Sequence, residues 1–236
     1  MTHTTRIGCA GWSIGRETAA CFPGEGSHLE RYARVMNCVE INSSFYKPHQ
    51  ASTYARWALA VPDDFRFAVK LPRSISHDRK LHDIDALLDA FAAEANTLEA
   101  KLGCILVQLP PSLKLDAGLA DAFFTALRQR FTCALACEAR NATWFTDTAT
   151  ELLHRHGITR VIADPPAGEG GPFAPTTDRV YARLHGSPRM YYSSYPDAYL
   201  DQVAAYLASR DGWCIFDNTA AGAALGNALT LQQKTA

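Results

Sequence analysis

The sequence predicts an α/β protein built as a single (β/α)8 TIM-type barrel over 1–236, with the helix after strand six weak or replaced by a loop. Three observations carry this. Apolar strand-like runs alternate with helical patterns eight times over. The length, 236 residues, suits a fold that typically takes about 250. No Pro/Gly-rich linker divides the chain into two cores. The rival, an open doubly wound sheet, would place a G-x-G-x-x-G turn after its first strand, and "GCAGWSIG" at 8–15 does not match it.

The first strand-like run is 7–12, followed by a helix over 28–36, "HLERYARVM". Strand two, 39–45, precedes a helix over 52–60. Strand three, 67–71, precedes a helix over 85–99, and strand four, 104–109, one over 118–130. Strand five, 135–139, leads into 146–156, with Thr and Asp at its start and Gly157 at its stop. Strand six, 161–164, is followed by "PPAGEGGPFAP", too rich in Gly and Pro for a helix. Strand seven, 180–185, precedes a helix over 197–209. Strand eight, 213–217, ends the series before a helix over 222–232.

Composition sets limits on function. Hydrophobic residues at 47% and charged residues at 20% allow a substantial core. A net charge of -1 gives no general attraction to nucleic acid or an anionic membrane, though a local basic patch stays open. No secretory signal and no apolar run of about 20 residues is evident. The seven cysteines are scattered without a Cys-x-x-Cys pair. Five of them (Cys9, Cys38, Cys104, Cys137, Cys214) fall inside strand-like runs, which reads as small core residues in a reducing, cytoplasmic setting.

"VEINSSFY", 39–46, alternates apolar residues with Glu40, Asn42 and Ser44. In a barrel, one face of each strand meets the helices and the other faces the axis. Setting the larger apolar positions outward turns Glu40, Asn42, Lys70, Gln108, Glu138, Arg140, Asp164, Arg183 and His185 inward. Most lie near the C-terminal end of their strand, where barrel active sites are built. A fold needing stability alone would place Val or Leu there, because unpaired buried charge is costly.

Taken together, "GCAGWS", "VEINSSFY", "FAVKLP" with "SH" downstream, "KLGCILVQLPPSL", "EARNATWF", "ARLHG" and "FDNTAAGAALGNAL" resemble the domain-of-unknown-function 72 (YecE-like) family across about 7–232. The resemblance implies a TIM-type barrel and no established activity or cofactor. Many members look like Phe-Asn-Asn-Asp where this chain has "FDNT", 216–219, so no carboxylate role passes to Thr219.

The inward set suggests acid/base chemistry without a cofactor. Glu138 and Asp164, on adjacent strands, form a general acid/base pair if their environments differ. Lys70 serves as an electrostatic stabiliser or, if buried and neutral, a Schiff-base nucleophile. Glu40 completes the catalytic set. Arg140 and Arg183 suit a carboxylate or phosphate. Asn42, Gln108 and His185 add polar contacts, and Trp12, Tyr46 and Trp144 offer ring faces for a sugar or base. A simpler alternative pairs Glu138 with Arg183 and Asp164 with Lys70 as a structural network. An anion site is expected where His185, Gly186, Ser187 and Arg189 meet the helix start after Asn218, with open amides at Ala220–Gly222. The expected partner is a small polar or anionic ligand, and hydrolase, lyase and isomerase chemistry all remain open. A non-catalytic ligand- or nucleic-acid-binding module is the alternative. A metal-dependent isomerase or hydrolase using Glu40, Glu138, Asp164, His185 and Asp217 is the second, disfavoured by the cations in the same ring.

Overall fold

Apolar runs buried on both faces become parallel strands here, as such runs do when helices cover a sheet. The computed structural model describes residues 4–166, 168 and 173–235. The strands are β1 (Thr5–Cys9), β2 (Cys38–Ile41), β3 (Arg66–Lys70), β4 (Leu102–Gln108), β5 (Ala134–Glu138), β6 (Ile158–Arg160), β7 (Ile162–Asp164), β8 (Val180–Leu184) and β9 (Gly212–Phe216). They form two parallel sheets, ordered β2-β3-β4-β5-β6 and β1-β9-β8-β7. The helices are α1 (His28–Ala33), α2 (Ser43–Tyr46), α3 (Ala51–Leu59), α4 (Asp85–Ala95), α5 (Ala117–Arg130), α6 (Asp147–Arg155), α7 (Asp197–Leu207) and α8 (Ala223–Thr235). No helix occurs between β7 and β8 among the described residues, and part of that predicted loop, 167 and 169–172, lies outside them.

Two expectations need correction. Strand two stops at Ile41 rather than at 45, because Ser44 donates its hydroxyl to the carbonyls of Ile41 and Lys70 (3.0 and 2.7 Å) and turns the chain into α2. Strand six begins earlier, at Ile158, and is divided at Val161.

Two cores result. The larger lies between the sheets and the helices. The smaller joins Cys38, Ala68, Leu106 and Ala136 of one sheet to Tyr181, Trp213 and Ile215 of the other. The five cysteines predicted to be core residues are buried free thiols. No helix among the described residues is long and apolar enough to cross a membrane.

Side chains stitch the two seams where the sheets meet. At the first, Gly8 lets β1 approach β2; a Cβ there would lie 2.2 Å from the Cys38 carbonyl oxygen. The Tyr32 hydroxyl accepts from the Cys9 amide and donates to the Cys38 carbonyl, both at 2.9 Å. Asn37 bonds the Ile7 amide and the Thr5 carbonyl, and the Gly11 amide reaches the Glu40 carbonyl at 2.9 Å. At the second, the Thr176 hydroxyl accepts from the Arg160 amide and donates to the Ile158 carbonyl. Tyr32→Phe should therefore cost about 1–3 kcal/mol, the penalty for stranding buried backbone groups. Equilibrium urea unfolding measures this, and a neutral result would mean the seam does not depend on the hydroxyl.

Candidate functional site at the carboxyl ends of the strands

Strand alternation builds the site. The inner-core residues Cys38, Ala68, Leu106, Ala136, Tyr181 and Ile215 are each followed, two positions on, by Glu40, Lys70, Gln108, Glu138, Arg183 and Asp217. Since side chains two apart share a face, six polar groups stand above one apolar plug. All six are buried. Both faces of "VEIN" are thus covered, and Glu40 is 0% exposed.

Arg183 is the centre of this layer. Its Nε and Nη2 donate to Glu40 at 3.1 and 2.7 Å, Nη1 donates to Glu138, and Nη2 also reaches Asp217 at 2.9 Å. Tyr181 donates its hydroxyl to Glu40 at 2.7 Å. Arg140 forks onto Glu138 Oε1 at 2.9 and 2.7 Å. His185 Nδ1 shares a hydrogen bond with Asp217 at 3.0 Å. Its Nε2 is buried without a hydrogen bond, 3.4 Å from Glu138 Oε1.

Burial alone would raise the Glu138 carboxyl, but Arg183, His185 and Arg140 hold it well below the usual carboxylate range. Asp217 is lowered likewise against its burial, by Arg183 and His185. His185 is raised, burial being outweighed by its hydrogen bond to Asp217 and the adjacent Glu138 carboxylate. Glu138 and Asp217 are thus held ionised, and with Glu40 they surround one guanidinium. Lys70 differs. Burial and the nearby Arg183 push its ammonium down to about 8, only partly countered by Glu40, Glu138 and Asp217. Its Nζ lies 4.1 Å from the centre of the Phe45 ring. The His77 ring packs edge-on against that same ring at 4.9 Å, and burial together with Lys70 lowers its pKa.

Several expected residues lie elsewhere. Asp164 does not join Glu138. In "VIAD" it is Val161 that enters the inner core while Ile162 packs outward, so Asp164 points away and accepts from Tyr195 at 2.7 Å. Two adjacent β-branched residues leave such a short strand without a legible phase. Trp144 is 1% exposed, donating to the Leu113 carbonyl and packing on Phe124. Trp12 packs edge-on against Trp57 at 5.0 Å, and Tyr46 is 74% exposed beside Phe45. Arg189 lies over Tyr192 at 4.0 Å rather than beside Arg183. Asn218 is buried and binds Ser193 and Asn227, tying the loop after β8 to α8. The amides of Ala220 and Gly222 donate to Tyr191 and Thr219, so they are not open to an anion. Asn42 sits at the edge of the cluster, 3.4 Å from Asp217.

The chain matches the family described as "Protein of unknown function DUF72" over residues 6–236. It belongs to that family. The UPF0759 protein YecE of Escherichia coli (strain K12) is 32% identical over 142 residues, 58% of this chain and 52% of that protein. The match thus spans about half the length of that relative. The UPF0759 protein YunF of Bacillus subtilis (strain 168) is 26% identical over 76% of this chain and 69% of its own. Among solved structures, a DUF72 family protein from Thermotoga maritima MSB8 aligns with a TM-score of 0.80 at 26% identity, covering 98% of both chains. One from Enterococcus faecalis V583 aligns with a TM-score of 0.80 at 22% identity, covering 98% of this chain and 95% of that one.

In this DUF72 chain, three site residues escaped the expected catalytic and ligand-binding set. Asp217 was weighed only as a metal ligand, although the alternation that selected Arg183 also selects it. Tyr181 was not singled out, although it shares the phase of Arg183. His77 belongs to the "SH" pair, where a π-helical turn, Ser74–Asp78, brings it to Phe45; such turns are frequent at functional sites. Among the described residues, no group of three or more His, Cys, Asp or Glu is arranged to hold a metal ion.

Proposed function

We propose that this protein is a cofactor-independent enzyme applying acid/base chemistry to a small polar, anionic or sugar-like ligand. The ligand sits above the Arg183 layer, at the carboxyl ends of the strands. The two sheets are read as halves of one (β/α)8 barrel, interrupted where side chains replace the ladder at the seams. The observation that carries the functional reading is Lys70. It is a buried ammonium resting on a ring face, while the neighbouring carboxylates are already held by Arg183. A purely structural network would pair each charge. Lys70, its ammonium lowered to about 8, can release a proton just above neutral pH, His77, lowered by burial and by Lys70, can take one up, and His185, raised by its bond to Asp217, can donate one. Arg140 and Gln108 are placed to orient polar substituents.

Screening sugars, sugar phosphates and small carboxylates by thermal shift tests this. A ligand at about 100 times its Kd adds about 2.7 kcal/mol, a rise of roughly 5–10 °C at about 2–4 °C per kcal/mol for a chain this size. The rise should vanish in Lys70→Met. A ligand shift unchanged in that variant would place binding elsewhere. The exposed rings of Tyr46 and Tyr192 favour the second reading, a binding module, which predicts tight binding without turnover.

A further inference from the structure

Resting on that reading, we propose that Lys70 is an amine nucleophile that condenses with the carbonyl carbon of a polyhydroxylated aldehyde or ketone. Four observations bear on it. Lys70 ends β3 in the polar layer, where the other strands also present their side chains. Its Nζ has the Phe45 face at 4.1 Å and no ion pair with any of the three carboxylates that Arg183 holds. An amine so placed gives up its proton at less cost than a carboxylate-paired one, and the depressed ammonium, about 8, agrees. His77 packs on the same ring, lowered by burial and then by Lys70, and stands beside the free amine as a proton relay.

The step balances without an outside oxidant or reductant. The Lys70 nitrogen lone pair attacks the carbonyl carbon, and the C=O π pair moves to oxygen. That oxygen takes a proton, for which His185, held between Asp217 and Glu138, is the buried acid of the cluster. The carbinolamine nitrogen loses a proton to His77, which returns it to the hydroxyl as that departs as water, leaving an iminium. The iminium is an electron sink for breaking or shifting a bond α to the former carbonyl, so the substrate class is short sugar-like aldehydes and ketones. Asn42 and Gln108, on neighbouring strand ends, suit their hydroxyls.

The test treats the protein with DL-glyceraldehyde and sodium cyanoborohydride, which reduces an iminium to a stable secondary amine, followed by peptide mapping. At pH 8, a lysine titrating near 8 has roughly a hundredfold more free amine than an ordinary one near 10.5. Lys70 should therefore be alkylated at least roughly tenfold faster than the exposed Lys47, Lys80 and Lys114, allowing for its burial. Its labelling should rise with pH to a plateau above about 8, and Lys70→Arg should abolish labelling at this position while keeping the wild-type circular dichroism. Adducts confined to the exposed lysines would overturn the proposal. If glyceraldehyde still moves the His185 ring resonances in that case, the covalent step alone falls and the acid/base site stands. If no resonance of the site moves, both fall.

Discussion

Arg183→Met should destabilise the protein by about 3–5 kcal/mol, the cost of removing one partner from a buried ionic cluster. Arg183 is 0% exposed and touches Glu40, Glu138 and Asp217. Without it, three carboxylates face one another above an apolar plug, with only Arg140, Lys70 and His185 to offset them. The loss should be pH-dependent, and its sign follows from the lowered carboxylates. In the wild type, Glu138 and Asp217 lie below their ordinary values. They therefore contribute stability above those values that is lost as pH falls through the folded ones. Removing the guanidinium abolishes that contribution, so the deficit should be largest at neutral pH and shrink in acid. Urea unfolding from pH 7 down to about 3, through and below the ordinary carboxylate range, measures it. A deficit independent of pH would mean that lost packing, not charge, explains the loss.

Lys70→Met should act in the opposite direction on stability while abolishing function. The folded ammonium titrates near 8 against 10.5 when unfolded. Between those values the unfolded chain binds more protons, so wild-type stability rises with pH across that window. Below about 8 the penalty is fully present. A methionine of similar volume removes it, for a gain of about 1–3 kcal/mol at pH 7 that fades as pH approaches 10.5. Ligand binding or turnover should fall at least tenfold in the same variant. Improved stability with lost function marks a residue retained for chemistry. A loss of several kcal/mol would instead make Lys70 part of the supporting network.

Much of the architecture is legible in the sequence because it depends on periodicity. The strand and helix runs are long enough to show their period, and the caps at Ser27, Asp116 and Thr146 are side-chain hydrogen bonds between near neighbours. The same alternation selects Glu40, Lys70, Gln108, Glu138 and Arg183. It cannot show who pairs with whom. Glu138 meets Arg183, as the simpler network expected, but Lys70 does not meet Asp164. That pairing failed on the phase of a three-residue strand. His77 reaches the site through an irregular turn, and Tyr191 adopts a left-handed backbone (φ 70°) to bring its ring edge-on to His185. Neither geometry has a periodic signature. The division into two sheets is equally hidden, because it arises where Tyr32, Asn37 and Thr176 supply the hydrogen bonds that a backbone ladder would have made.

Whether the layer contains a reactive amine or only a tied-off ionic network is decided by titrating Lys70 itself. Lysine labelled with 15N, observed at Nζ and assigned by its disappearance in Lys70→Arg, gives the midpoint directly. A midpoint near 8 is expected, displaced upward when an anionic ligand binds beside it. A midpoint at or above the ordinary 10.5 would show an ammonium stabilised by a carboxylate partner, and the functional reading of this site would be contradicted.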